Sequence, residues 1–97
     1  MIGMNLKQLI EKAYYGDEVE FRINEVTYFM QGYEEKGKYS LSIDYWNSTD
    51  GSEPEHDYIL SISCNSPSER MNYFEEAKIF DGKTIYEAER EIEVLYG

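Results

Sequence analysis

Four runs between positions 19 and 62 decide how this chain folds. They are Val19-Glu20-Phe21-Arg22-Ile23, Val26-Thr27-Tyr28-Phe29-Met30, Tyr39-Ser40-Leu41-Ser42-Ile43-Asp44-Tyr45 and Tyr58-Ile59-Leu60-Ser61-Ile62. Each alternates apolar and polar residues at period two, which sets one row of side chains on one face of an extended strand. Turn-forming residues separate the runs, so they read as an antiparallel meander with one apolar and one solvated face. The segments outside the meander carry helical spacing and read as the cover for the apolar face. The expectation is an α+β fold: an N-terminal helix, a four-stranded antiparallel β-meander, and two C-terminal helices packed on one face.

Outward from the meander, the local signals are specific. Asn5 reads as an N-cap, with Gln8 placed to return a hydrogen bond; Leu6, Leu9, Ile10 and Ala13 follow on one helical face, and Gly16 is the stop. Met1 to Met4 read as a frayed leader. Asn24-Glu25 is short enough for a tight hairpin, and Gly32 to Gly37 reads as the loop of a second. Ser66-Pro67-Ser68-Glu69 combines a cap, a proline at the first helical position and a box-closing acid, with Met71, Phe74 and Ala77 as the inner side of that helix. Ile79 and Phe80 lead into an Asp81-Gly82 turn. Thr84 and Glu87 form a further capping box, and Ile85, Ala88, Ile92 and Leu95 make the stripe of a last helix. The predicted core is Val19, Phe21, Ile23, Leu41, Ile43, Leu60 and Ile62 against Leu9, Phe74 and Ile92.

A chain of 97 residues with 41% hydrophobic content is one domain with a core of modest size. No apolar run approaches the roughly 20 residues of a membrane span. One cysteine, Cys64, rules out an internal disulfide and suits a reducing cytoplasm. Twenty acids against nine bases leave a net charge of −11. Such a field repels nucleic acid and anionic membranes and draws basic partners.

Catalytic chemistry finds no constellation. The lone histidine, His56, and Cys64 lack the positioned partners that acid–base or nucleophilic work requires. The segment Asp50 to Asp57 offers carboxylates suited to a hard cation, but without the spacing of a calcium loop. Zinc spacing and a phosphate-cradling glycine loop are both missing, so no enzyme, metal or cofactor is expected. The acids themselves are the better signal. From Asp44 through Asp50, Glu53 and Glu55 to Asp57 there is no Lys or Arg, and positions 47–56 read as a mobile acidic loop. In the predicted last helix, Glu87 with Glu91 and Glu89 with Glu93 would be like-charge pairs at i,i+4, and Glu91 and Glu93 would sit where the helix dipole prefers cations. Stability does not choose that pattern. Trp46 falls on the outer row of the third strand, where a loop or a partner must cover it.

The opening Met4-Asn5-Leu6-Lys7-Gln8-Leu9-Ile10-Glu11, the Gly16 to Phe21 approach to the first strand, the Gly37-Lys38-Tyr39 strand start and the closing Ala77 to Thr84 together resemble small acidic proteins of phages and mobile elements of Gram-positive bacteria. The order of helix, sheet and two helices resembles the smaller anti-CRISPR proteins that inhibit Cas9. That resemblance implies an acidic surface occupying a basic nucleic-acid-recognition site, and it transfers no binding residue by position. The expected function is therefore a non-catalytic interaction protein that binds a basic protein surface through Asp44, Trp46, Asp50, Glu53, Glu55, Asp57, Glu87, Glu91 and Glu93. It would bind no nucleic acid or membrane directly. The alternative is a structural or regulatory domain whose acidity serves solubility.

Overall fold

A computed structural model describes residues 1–47 and 57–97, with only the backbone of Trp46, Asn47, Asp57 and Tyr58. The acidic loop read at 47–56, with Asp50, Glu53, Glu55 and His56, falls outside the described residues beyond Asn47. So does the cover expected over Trp46.

Helix α1 spans Leu6–Tyr15 and is closed at both ends by the residues that signal it. Asn5 Oδ1 accepts from the Gln8 amide at 2.8 Å, and Gln8 Oε1 accepts from the Asn5 amide at 2.9 Å. Gly16 ends the helix at φ 72°, a left-handed conformation that costs a glycine little. Strands β1 (Val19–Ile23), β2 (Val26–Glu35), β3 (Lys38–Asn47) and β4 (Asp57–Cys64) follow as an antiparallel meander. Strand β2 runs straight through Gly32, so the second hairpin turn is only Lys36-Gly37, both at positive φ, and not the longer loop read from the glycines. Helix α2, Pro67–Glu76, is capped by Ser66, whose Oγ accepts from the Glu69 amide at 3.1 Å. The Glu69 carboxylate returns to the Asn65 amide at 3.1 Å, one residue earlier than a regular capping box.

The end of the chain overturns the four-strand, three-helix expectation. Among the described residues there are two α-helices, and the sheet has five strands in the order β4-β3-β2-β1-β5. The residues read as the last helix make a single Thr84-capped turn and a 3-10 turn at Glu89–Glu91. They then enter β5, Ile92–Tyr96, antiparallel to β1. Two periods coexist in this stretch. Ile85, Ala88, Ile92 and Leu95 fit a helix, while Ile92, Val94 and Tyr96 alternate as a strand. The strand prevails because β1 would otherwise present an open edge of unpaired backbone groups. Pairing sets Ile92 opposite Ile23 and Val94 opposite Phe21, and it relieves the glutamate pairs a helix would have stacked. Glu93 instead meets Arg22 at 2.7 Å across the strands. Both side chains are part-exposed, so the ion pair contributes register more than stability.

The alternation places the core where it should be. Val19, Phe21, Ile23, Leu41, Ile43, Leu9, Phe74 and Ile92 are buried, while Leu60 and Ile62 on the outer strand β4 are partly buried. Phe21 and Tyr28 stack across β1 and β2 at 5.5 Å, and Phe80 meets Tyr28 edge-on at 5.0 Å, so the segment after α2 is pinned to the sheet by aromatic contacts.

One buried residue is a cation. Arg70 lies on α2 one turn before Phe74 and is 4% exposed. Its Nη1 donates to the Ser40 carbonyl of β3 at 3.2 Å, and its Nη2 donates to the Tyr14 carbonyl in the last turn of α1 at 2.5 Å. The guanidinium carbon lies 5.6 Å from the Tyr39 ring centre. Two glycines make room for it. A Cβ on Gly16 would lie 2.9 Å from Nη1; one on Gly32 would lie 2.7 Å from Gly16 Cα and 2.9 Å from the Ser40 carbonyl. That is the close backbone approach a glycine inside a strand marks. Gly32→Ala, which needs no unusual φ, should therefore cost about 1–3 kcal/mol by forced displacement of packed atoms. Urea denaturation checks this, and an unchanged midpoint would refute the packing described.

Candidate functional site

The helical row of the expected acidic surface is not formed, and most of its loop part lies outside the described residues. Asp44 lies half-buried on the solvated face of β3, opposite Phe29. Trp46 follows it on the same strand, opposite Thr27, and Asp57 stands opposite Tyr45 at the start of β4. Asp50, Glu53 and Glu55 lie outside the described residues. Glu87, Glu91 and Glu93 form no helical row, because no helix is there. Glu87 accepts from the Thr84 amide at 3.0 Å, and that hydrogen bond, aided by Lys78 and Lys83, holds its carboxyl below the usual range. Glu91 lies 3.6 Å from Lys83, and Glu93 is held by Arg22. Each of the three has a local structural partner.

Cys64 is buried at the end of β4. Burial, with Glu69 adding to it and Arg70 partly opposing, pushes its thiol up, so at neutral pH it is protonated and a weak nucleophile. Among the described residues, no group of three or more His, Cys, Asp or Glu side chains is placed to hold a metal ion, and no helix is long and apolar enough to cross a membrane.

The structure draws attention elsewhere, to a cavity of about 780 Å³ at one end of the apolar face. It opens at the end of the sheet where β3 finishes and β4 begins. Its floor is apolar, from the ends of β1, β2 and β4 and the segment after α2: Ile23, Val26, Ile59 and Ile79. Tyr28 and Tyr45, cross-strand neighbours with ring centres 6.4 Å apart, form one wall. The rim is the Asn24-Glu25 turn and Asp81. Asn24 and Asp81 both adopt φ 57°, so two tight turns present their polar side chains to the same opening. Among the described residues, two carboxylates line this cavity and no Lys or Arg does.

Tyr28 is the informative member. It is 5% exposed, its ring packed against Phe21, Phe80 and Tyr45. Burial, the Asp81 charge and Tyr45 raise its pKa above the ordinary 10.0, in that order of size. The sequence reading had Tyr28 and Tyr45 in two of the alternating runs and Asp81 in a turn, but not their meeting. The signal available was that two neighbouring inner rows carry tyrosines near the same end of the sheet. A second, smaller cavity of about 340 Å³ lies between α1 and α2, beside Tyr86, whose hydroxyl donates to Glu75 at 2.6 Å.

The raised Tyr28 pKa has a definite sign for stability. Below pH 10 the phenol is protonated whether the chain is folded or not. Above pH 10 the unfolded chain loses that proton while the folded chain still holds it, so the stability is complete below pH 10 and declines as pH rises through the folded value. The denaturation midpoint should fall between pH 9.5 and 11 (roughly the range over which phenols titrate), and fall less in Tyr28→Phe. Equal slopes for the two proteins would show that Tyr28 is not held in this way.

Compared with protein-family models, with curated proteins and with solved structures, the chain matches none.

Proposed function

We propose that this chain is a non-catalytic interaction protein that binds a basic surface of another protein, of the kind that otherwise holds nucleic acid, and acts by occupying it. The observation that carries this reading is the charge left over once the fold has used its bases. Of nine Lys and Arg residues, Arg70 is buried in the core, and Lys12, Arg22 and Lys83 each face a carboxylate. Each ion pair uses an acid as well as a base, so the net charge stays −11 and acids dominate the field outside the molecule. Asp44, Asp50, Glu53, Glu55 and Asp57, with Trp46 among them, are the residues we assign to the contact, and we place the activity in the cytoplasm, which suits the lone cysteine.

A second reading has its own support. Glu87, Glu91 and Glu93 serve a turn, an ion pair and a cross-strand pair, as acids do in a domain whose charge serves solubility alone. Salt separates the two. Captured from a bacterial lysate, a basic partner should be retained at 50 mM salt and lost at 500 mM, as the screening length falls from about 14 Å to about 4 Å. Added duplex DNA should displace it, and Glu53→Lys with Glu55→Lys should slow association more than it speeds dissociation. Capture indifferent to salt, or no partner in either condition, favours solubility.

A further inference from the structure

We propose that the 780 Å³ cavity receives an arginine side chain of the partner protein, with the guanidinium between the Tyr28 and Tyr45 hydroxyls and the Asp81 carboxylate. The inference rests on the basic-partner reading and adds to it a site and a residue type.

The chemistry of the cavity selects its occupant. Ile23, Val26, Ile59 and Ile79 make a floor that rewards an aliphatic stem and excludes a fully hydrated ion. The same lining offers acceptors: the phenols of Tyr28 and Tyr45 and the carboxylates of Asp81 and Glu25. Among the described residues the lining carries no competing cation. The phenol oxygens of Tyr28 and Tyr45 can each accept an N–H donor supplied from outside. The aromatic rings add faces on which a cation is attracted. Lysine offers one compact point charge, whereas arginine offers a flat fork of five donors that can meet several acceptors while stacking on a ring. A carboxylate-bearing or neutral polar side chain would face Asp81 and Glu25 without compensation. The volume exceeds one arginine, leaving room for the residues flanking it.

The test uses a defined probe and the whole chain. A capped Gly-Arg-Gly tripeptide is titrated at 50 mM salt while the resonances of Tyr28, Tyr45, Ile59 and Ile79 are followed by NMR, with Gly-citrulline-Gly and guanidinium chloride as comparators. The expected result is a saturable shift confined to those residues, absent with citrulline and weaker with guanidinium alone. Asp81→Asn should weaken binding about tenfold, as loss of a charge-assisted hydrogen bond does. Asparagine tolerates the φ of 57° at that turn, so the fold should persist. Tyr28→Phe, which removes only the hydroxyl, gives an independent reading should Asp81→Asn disturb the turn, and a loss of about threefold or more is expected there for one neutral hydrogen bond. Equal binding of citrulline, affinity unchanged in both variants, shifts spread over the acidic surface without saturation, or equal affinity for guanidinium alone would each overturn the proposal. Asp81→Asn removes one charge of many. If salt-sensitive capture of a partner survives in that variant and the peptide fails to bind, the pocket is wrong and the basic-partner reading stands.

Discussion

The Arg70 guanidinium, buried where α1, α2 and the sheet converge, ties three parts of the chain together, and much of the local sequence follows from accommodating it. A buried cation is costly unless its donors are used. Here two of them reach the carbonyls of Tyr14 and Ser40, and the ring of Tyr39 supplies a third attraction. The Tyr14 carbonyl belongs to the end of α1, where the helix dipole concentrates negative partial charge, so a cation there gains what a carboxylate would otherwise have to supply. Nε remains without a partner, a small residual cost of the arrangement. Gly16 and Gly32 then meet through a 3.1 Å hydrogen bond from the Gly32 amide to the Gly16 carbonyl, because neither carries a side chain that would push them apart. A helix end, a strand interior and a second helix are thus positioned by one side chain.

This use of Arg70 also shapes the surface. The fold withdraws one of its few bases from solvent and pairs others with carboxylates, so the exterior keeps the acidic excess of the composition with few free cations to interrupt it. The acids are not equivalent. Those near the chain terminus hold turns and register, whereas Asp81 and Glu25 stand at the mouth of a hydrophobic recess. A carboxylate over an apolar floor acts on a partner differently from one on an open face. It is screened less, and it selects for shape as well as charge.

Much of the architecture was legible because its signals are local. The alternation of Val19-Glu20-Phe21-Arg22-Ile23 fixes which side chains turn inward whatever the strand pairs with. Asn5 and Gln8 close their helix with atoms three residues apart. The same reasoning misread Gly32 as a loop residue, because the reason for a glycine there is another backbone, Gly16, that is near only after folding. Arg70 was passed over although it shares an i,i+4 face with Phe74, a spacing that places a cation on an apolar stripe.

The division is clearest at the terminus and at the cavity. By itself the sequence determined the period-two rows, the caps of both helices, the Asp81-Gly82 turn and the excess of negative charge, all of which depend on neighbours within a few residues. It left Ile85 to Tyr96 ambiguous, since one set of apolar residues satisfies both a helical stripe and an alternating strand. The open edge of β1 settled that, and the edge exists only once β1 has paired on its other side with β2. The cavity is decided the same way. Tyr28, Tyr45 and Asp81 are 17 to 53 residues apart in the chain, and only strand register and the docking of Phe80 bring a phenol, its neighbour and a carboxylate to one opening.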